Sequence, residues 1–153
     1  MKLLLDTSYF LPAIGISIKG LPEDAPIRLI RKGYKVSISD ITLFELSAKG
    51  ARYITIGKLT SERVCKGIRA VVYDDRITKI SMYDSSILLL AFRLRRILND
   101  FIDCLILSSA LTQNDILVTE DQDLQKLKEK REFQETFQTI NPKFKIQKLI
   151  EMI

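Results

Sequence analysis

The sequence contains no histidine, only two cysteines, and no apolar run long enough for a membrane. Without histidine it cannot assemble a Ser-His-Asp or Cys-His nucleophile pair, a His-ligated zinc centre, or the imidazole chemistry of metal-free ribonucleases. Any hydrolytic chemistry must run on carboxylates, hydroxyls, lysines or a metal ion. Cys65 and Cys104 lie far apart and in no C-x-x-C spacing, so neither a disulfide framework nor a structural zinc site is indicated, and both read as reduced thiols in the interior. Met1-Lys2-Leu3-Leu4-Leu5 begins like a secretion signal, but Asp6 interrupts it before the roughly 7 to 15 apolar residues that such a segment needs. No stretch approaches the roughly 20 apolar residues of a membrane span. The expectation is a cytoplasmic protein with no membrane partner.

What is present suffices for one core. The 153 residues are 46% hydrophobic and 28% charged, the size and balance of a single domain over residues 1–153 that folds without staples. The formal net charge of +5 favours polyanions such as RNA or DNA, although a solubilising excess explains it equally well.

Leu3-Leu4-Leu5 is a short apolar run that ends at Asp6-Thr7-Ser8, as a strand buried on both faces does when it exits into a polar loop. Val36–Ser39 and Ile116–Thr119 repeat the pattern, with Thr78–Ile80 and Thr136–Ile140 as weaker strands. Between them the period shifts to about 3.6, predicting helices over 10–18, 25–32, 41–51, 61–73, 85–98, 101–113 and 124–131. Ile146, Leu149, Ile150 and Ile153 after Asn141-Pro142 predict a closing amphipathic helix. Strands alternating with helices imply an α/β domain with a mostly parallel central sheet.

In such a sheet ligands sit beyond the carboxyl ends of the strands, and here those positions are acidic. Asp6 follows the first strand, and Glu45 lies early in the helix after the second, which Ser39 or Asp40 would cap. Asp103 lies on a helix apolar nearly all round, where an unpaired charge costs several kcal/mol. Asp121 follows the strand ending at Val118-Thr119, with Asp123 two residues on. Each acid also has a structural explanation. Asp6 could begin a turn, Glu45 could pair with Lys49 at i, i+4, Asp103 could sit at N3 of a helix capped by Asp100, and Asp121 could cap the next helix. Together, however, they bring four acids to one sheet edge, where like charges raise each other's pKa unless something positive sits among them. A hard divalent cation, Mg²⁺ or Mn²⁺, answers that need.

The order of Leu-Leu-Leu-Asp6-Thr7-Ser8, Ile41-Thr42-Leu43-Phe44-Glu45-Leu46, Asp103-Cys104-Leu105-Ile106-Leu107-Ser108-Ser109-Ala110-Leu111 and Leu117-Val118-Thr119-Glu120-Asp121-Gln122-Asp123-Leu124 resembles the PIN-domain nucleases, including the VapC toxins of toxin-antitoxin pairs. Ile140-Asn141-Pro142 looks like the end of that fold, and the resemblance spans essentially the whole chain. It implies a three-layer α/β/α sandwich and a Mg²⁺- or Mn²⁺-dependent endoribonuclease that leaves 5′-phosphate and 3′-hydroxyl ends. Asp6 and Asp103 match the principal metal-binding acids, and Glu45 the acid that orients a metal-bound water or a second ion. Asp121 matches the fourth acid, with Asp123 as the alternative, and Ser8 the hydroxyl that supports the first aspartate. Leu124 departs from the pattern, standing where an aromatic is common. RNA is the implied substrate, with an antitoxin protein and a second copy of the chain as implied partners.

For RNA contact, Lys49 and Arg52 follow Glu45 by one and two turns, while Arg93, Arg95 and Arg96 form the densest basic group at a helix end that already favours cations. Tyr9, Phe10, Phe44 and Phe92 fall on apolar faces and read as core rather than base-stacking platforms. Two rival functions remain: a non-catalytic PIN-like module that binds RNA or protein, and a receiver-type phosphate-handling domain. The second lacks paired acids after the first strand and a Gly-rich phosphate loop.

Overall fold

The three apolar runs lie side by side at the centre of a computed structural model describing residues 1–153. The strands are β1 (Lys2–Leu5), β2 (Lys35–Ser39), β3 (Ile77–Ile80), β4 (Ile116–Val118) and β5 (Lys145–Gln147). They form one sheet in the order β3-β2-β1-β4-β5, and every pairing is parallel. Leu4 of the central strand faces Ser37 on one side and Leu117 on the other. Side chains alternate across a pleated strand, so one run feeds two cores. Leu3, Leu5, Val36, Ile38, Ile116 and Val118 enter one, and Leu4, Ile80, Leu117 and Ile146 the other.

The helices are α1 (Ala25–Arg31), α2 (Asp40–Thr55), α3 (Ser61–Val72), α4 (Ser85–Leu94), α5 (Phe101–Gln113) and α6 (Gln122–Lys126), with a 3-10 helix over Thr7–Ile14. The 3-10 helix, α1, Leu46 of α2 and Val64 and Val71 of α3 close the first core. Helices α4 and α5, with Phe133, Phe137 and Phe144, close the second. The result is the expected three-layer α/β/α sandwich. On the first face the helices cross closely: a Cβ on Gly67 of α3 would meet the backbone carbonyl of Ala13, and one on Gly50 of α2 would meet Val64. No helix is long and apolar enough to cross a membrane.

The C-terminal quarter departs from the sequence reading. Thr136–Ile140 is no strand, because Phe133–Phe137 coils into a π-helical turn that buries both phenylalanines. The expected amphipathic helix gives way to β5 and a short 3-10 turn over Leu149–Glu151, leaving Ile150 and Ile153 exposed. The open edge of β4 decides this. Lys145 N–H donates to the Asp115 carbonyl and Thr119 N–H to the Gln147 carbonyl, satisfying edge groups that a helix would leave unpaired.

Smaller corrections follow from local chemistry. The first predicted helix is the 3-10 helix, stopped by Gly15 at φ 99°, a conformation glycine adopts freely. Helix α4 ends at Leu94 rather than Leu98, and Arg95 turns back to donate to the Leu98 carbonyl. The helix predicted over 124–131 is α6 followed by a 3-10 turn, Leu127–Glu129. Cys104 is buried as expected, but Cys65 is exposed on α3. Tyr9 and Phe10 are core, whereas Phe44 and Phe92 face solvent.

Candidate active site

The register of β1 and β4 opposes Leu5 and Val118, so the residues that follow them meet. Asp6 N–H donates to the Val118 carbonyl, and the buried Asp6 carboxylate lies beside Thr119. One Asp6 oxygen accepts from the Thr7 N–H at 2.7 Å and the other from the Thr119 hydroxyl at 2.6 Å. The Thr7 hydroxyl in turn donates to Glu45 of α2 at 2.5 Å, a helix that starts where β2 ends because Ser39 caps it. Two strand ends and one helix start thereby fix two carboxylates.

Two further acids arrive from the other side. Asp100 caps α5 by accepting from the Ile102 and Asp103 N–H groups, which places Asp103 in the first turn. Asp121 caps α6 by accepting from the Leu124 N–H at 3.0 Å, while its own N–H donates to the Thr119 hydroxyl. Both the cap expected of Asp121 and a position beside the other acids are therefore realised.

The electrostatics tie the group together. Burial pushes the Asp6 carboxyl up, opposed by the Thr119 and Thr7 hydrogen bonds and helped by the charge of Asp121. Burial also raises Glu45; its Thr7 bond opposes this, and the charges of Asp6 and Asp100 add to it. Asp103 is pushed up to about 7, first by burial and then by Asp100, Asp121, Asp6 and Glu45. The leading charges on Asp103 are all negative. Its carboxylate accepts no hydrogen bond and forms no ion pair. Lys49, the i+4 partner considered for Glu45, makes no ion pair with it but lowers both Glu45 and Asp6 from a distance.

Sequence reasoning missed Thr7 and Thr119: the Thr119 hydroxyl and the Thr7 N–H hold Asp6, the support expected of Ser8, and the Thr7 hydroxyl holds Glu45. Ser8 makes no hydrogen bond to Asp6, whose partners are Thr7 and Thr119. Asp100 is both the cap foreseen and the strongest charge on Asp103. Asp123 is exposed and is not among the leading charges on Asp6, Glu45 or Asp103. Glu120 belongs elsewhere: it accepts from the Tyr9 hydroxyl at 2.9 Å and the Leu149 N–H at 3.1 Å, fastening the C-terminal segment. Among the basic residues, Arg93 lies over the Phe137 ring and Arg95 is tied to Leu98.

This donor set fits a hard divalent cation. All its donors are oxygens, which suit Mg²⁺ or Mn²⁺ rather than the softer metals that select imidazole or thiolate. Asp103 has no cationic partner within the chain. No three acids form a ready-made cage, an arrangement compatible with an ion that takes one or two carboxylates and fills its other positions with water.

Fold and site together define an α/β/α domain with an acidic centre at the carboxyl edge of its sheet. The PIN domain model matches residues 3–130; the chain belongs to the PIN domain family, whose members are generally nucleases. Two solved structures are similar over nearly the whole chain. One is a chain in the crystal structure of VapBC2 from Rickettsia felis bound to a DNA fragment from their promoter, with TM-score 0.59, 19% identity and coverage of 97% of this chain and 98% of that one. The other is a chain in the crystal structure of DNA-bound VapBC from Salmonella typhimurium, with TM-score 0.59, 23% identity and the same coverages of 97% and 98%. At these identities the likeness is one of fold. No curated protein matches the chain.

Proposed function

We propose that the chain, acting as one domain over residues 1–153, is an endoribonuclease that depends on Mg²⁺ or Mn²⁺ and cuts RNA phosphodiesters by hydrolysis. The observation that carries this reading is Asp103, a half-buried carboxylate surrounded by other carboxylates and partnered by nothing. Asp6 and Asp103 would hold the cation. When bound, it supplies Lewis acidity toward water and phosphate.

The chain's own groups do the rest. Thr119 and Thr7 lock the Asp6 carboxylate in one orientation, so no reorganisation is needed as the reaction proceeds. The Thr7 hydroxyl aims Glu45, whose raised pKa suits it to accept a proton from the attacking water or to orient a second ion. Asp121 completes the acidic rim. Lys49, exposed and near Asp6 and Glu45, offers a positive charge to the substrate backbone, and Arg52 follows on the same helix. The likeness to VapBC chains supports a toxin restrained by an antitoxin protein; we place it in the cytoplasm, with a second copy of this chain as a further partner.

The test is cleavage of labelled RNA with and without Mg²⁺ or Mn²⁺. Wild type should cut only with metal and leave 5′-phosphate ends, and Asp103→Asn should lose at least about a hundredfold in rate. Equal cleavage by Asp103→Asn would overturn the reading. RNA binding without cleavage under any metal would favour the non-catalytic module.

A further inference from the structure

We infer, on the nuclease reading above, that the cleft opening from Asp103 toward the end of α6 is a subsite for a backbone phosphate of single-stranded RNA, held by Lys126 and Lys130. The cleft is a cavity of about 220 Å³ whose walls include Asn99, Asp100, Asp103, Asp123, Lys126 and Lys130. Asp103 belongs both to this wall and to the acidic centre, so the cleft is continuous with the place where a bond would be cut.

The two lysines are one helical turn apart in sequence, Lys126 at the end of α6 and Lys130 just after the following turn. Three acids share their cavity, yet neither lysine forms an ion pair with any of them. Nor does either ammonium rank among the leading influences on Asp103, all of whose charged neighbours in that set are acids. The lysines are therefore not spent on neutralising the centre. The cleft thus combines the acidic wall that includes Asp103 with two ammonium groups outside any ion pair. A strand threaded through it would lay one phosphate at the acidic wall and a neighbouring phosphate against the lysines.

Size and lining narrow the ligand further. Small-molecule sites usually begin at roughly 300 Å³, so a smaller cleft suits a sugar-phosphate segment rather than a whole nucleotide. No aromatic side chain lines it, which removes base stacking and leaves a contact that positions the backbone without reading sequence. The helix dipole also favours cations at the end of α6, but it accounts for neither their gathering in one cavity with Asp103 nor their lack of partners.

The test measures binding in the Asp103→Asn background, where cleavage is suppressed, by fluorescence anisotropy of a labelled single-stranded oligoribonucleotide from 50 to 200 mM salt, roughly the span over which phosphate contacts are read. Adding Lys126→Ala and Lys130→Ala should weaken binding about tenfold at low salt. It should also flatten the slope of log affinity against log salt by about 1.4, two contacts at about 0.7 each. Oligonucleotides of different sequence should lose affinity equally, and Lys126→Arg with Lys130→Arg should restore the slope while the melting temperature stays unchanged. An unchanged affinity and slope would overturn the inference. The nuclease reading fails separately, by continued cleavage in Asp103→Asn itself; if only the subsite is wrong, Asp103→Asn stays inactive while the double lysine variant of the wild type cleaves normally.

Discussion

On the flanks of the molecule Asp24 meets Arg28 at 2.7 Å, Asp74 meets Arg76 at 2.7 Å and Glu135 meets Arg131 at 2.6 Å. At the carboxyl edge of the sheet, Asp6, Glu45, Asp103 and Asp121 gather with no such partner. The consequences run in opposite directions. Hydrogen bonding to Arg76 holds the Asp74 carboxyl below its usual range, whereas burial and neighbouring acids lift Asp103 to about 7. The flanking pairs are formed by residues two or four positions apart in the chain, so local sequence is enough to neutralise a carboxylate. At the sheet edge Lys49 stands four residues after Glu45, the spacing of the flanking pairs, yet the two form no ion pair. The acids of that edge are left to be met by something from solvent.

The largest way to break this contrast is to remove one of the crowded charges. Asp6→Asn should lower RNA cleavage at least about a hundredfold, while the metal-free protein melts no lower than wild type, because removing one of several like charges relieves repulsion. Rate assays and calorimetry check the two halves. Next comes the hydroxyl that positions Asp6. Thr119→Val leaves one buried carboxylate oxygen without its 2.6 Å donor, which should cost about 1–3 kcal/mol of stability in urea melts and about ten- to a hundredfold in metal affinity.

A pH series sharpens the comparison from the other side. The folded pKa of Asp103, about 7, lies above its ordinary 3.8, so between those values the folded chain binds the extra proton. Stability contributed by this group therefore falls as pH rises from about 4 to about 7 and levels off above. Measured against Asp103→Asn in metal-free buffer, the wild-type melting temperature should decline across that window. Asp100→Asn, which keeps a competent cap but removes the strongest charge on Asp103, should make the decline shallower. The smallest effect belongs to the flank: Arg76→Ala should release Asp74 to a more ordinary pKa with little change in melting temperature, since exposed pairs contribute little.

Much of the site frame was readable in the chain itself. β1, β2 and β4 announce themselves as apolar runs, and α5 as a helix apolar nearly all round, so Asp6, Asp103 and Asp121 fall where each element starts or stops. Thr7 and Thr119 were not readable as positioning groups. The bond from Thr119 to Asp6 joins residues 113 apart and exists only because of the β1–β4 register. The closing segment misled for a related reason: Ile146, Leu149, Ile150 and Ile153 fit a helical period in isolation, while the unpaired edge of β4 claims Lys145–Gln147 for the sheet. Exposure of Phe44 and Phe92 escaped notice because both sit among apolar neighbours on helices whose buried faces are supplied by others, Leu46 in α2 and Leu90 and Leu94 in α4.

The central claim, that the unpaired acids form a seat for a divalent cation, is tested most directly by thermal melting of wild type and Asp103→Asn in EDTA and in Mn²⁺. At a hundred times its dissociation constant a native-state ligand adds about 2.7 kcal/mol, so wild type should melt ~5 °C or more higher in Mn²⁺, with the shift lost in Asp103→Asn. An equal shift in both proteins, or none in the wild type at millimolar Mn²⁺, would contradict it.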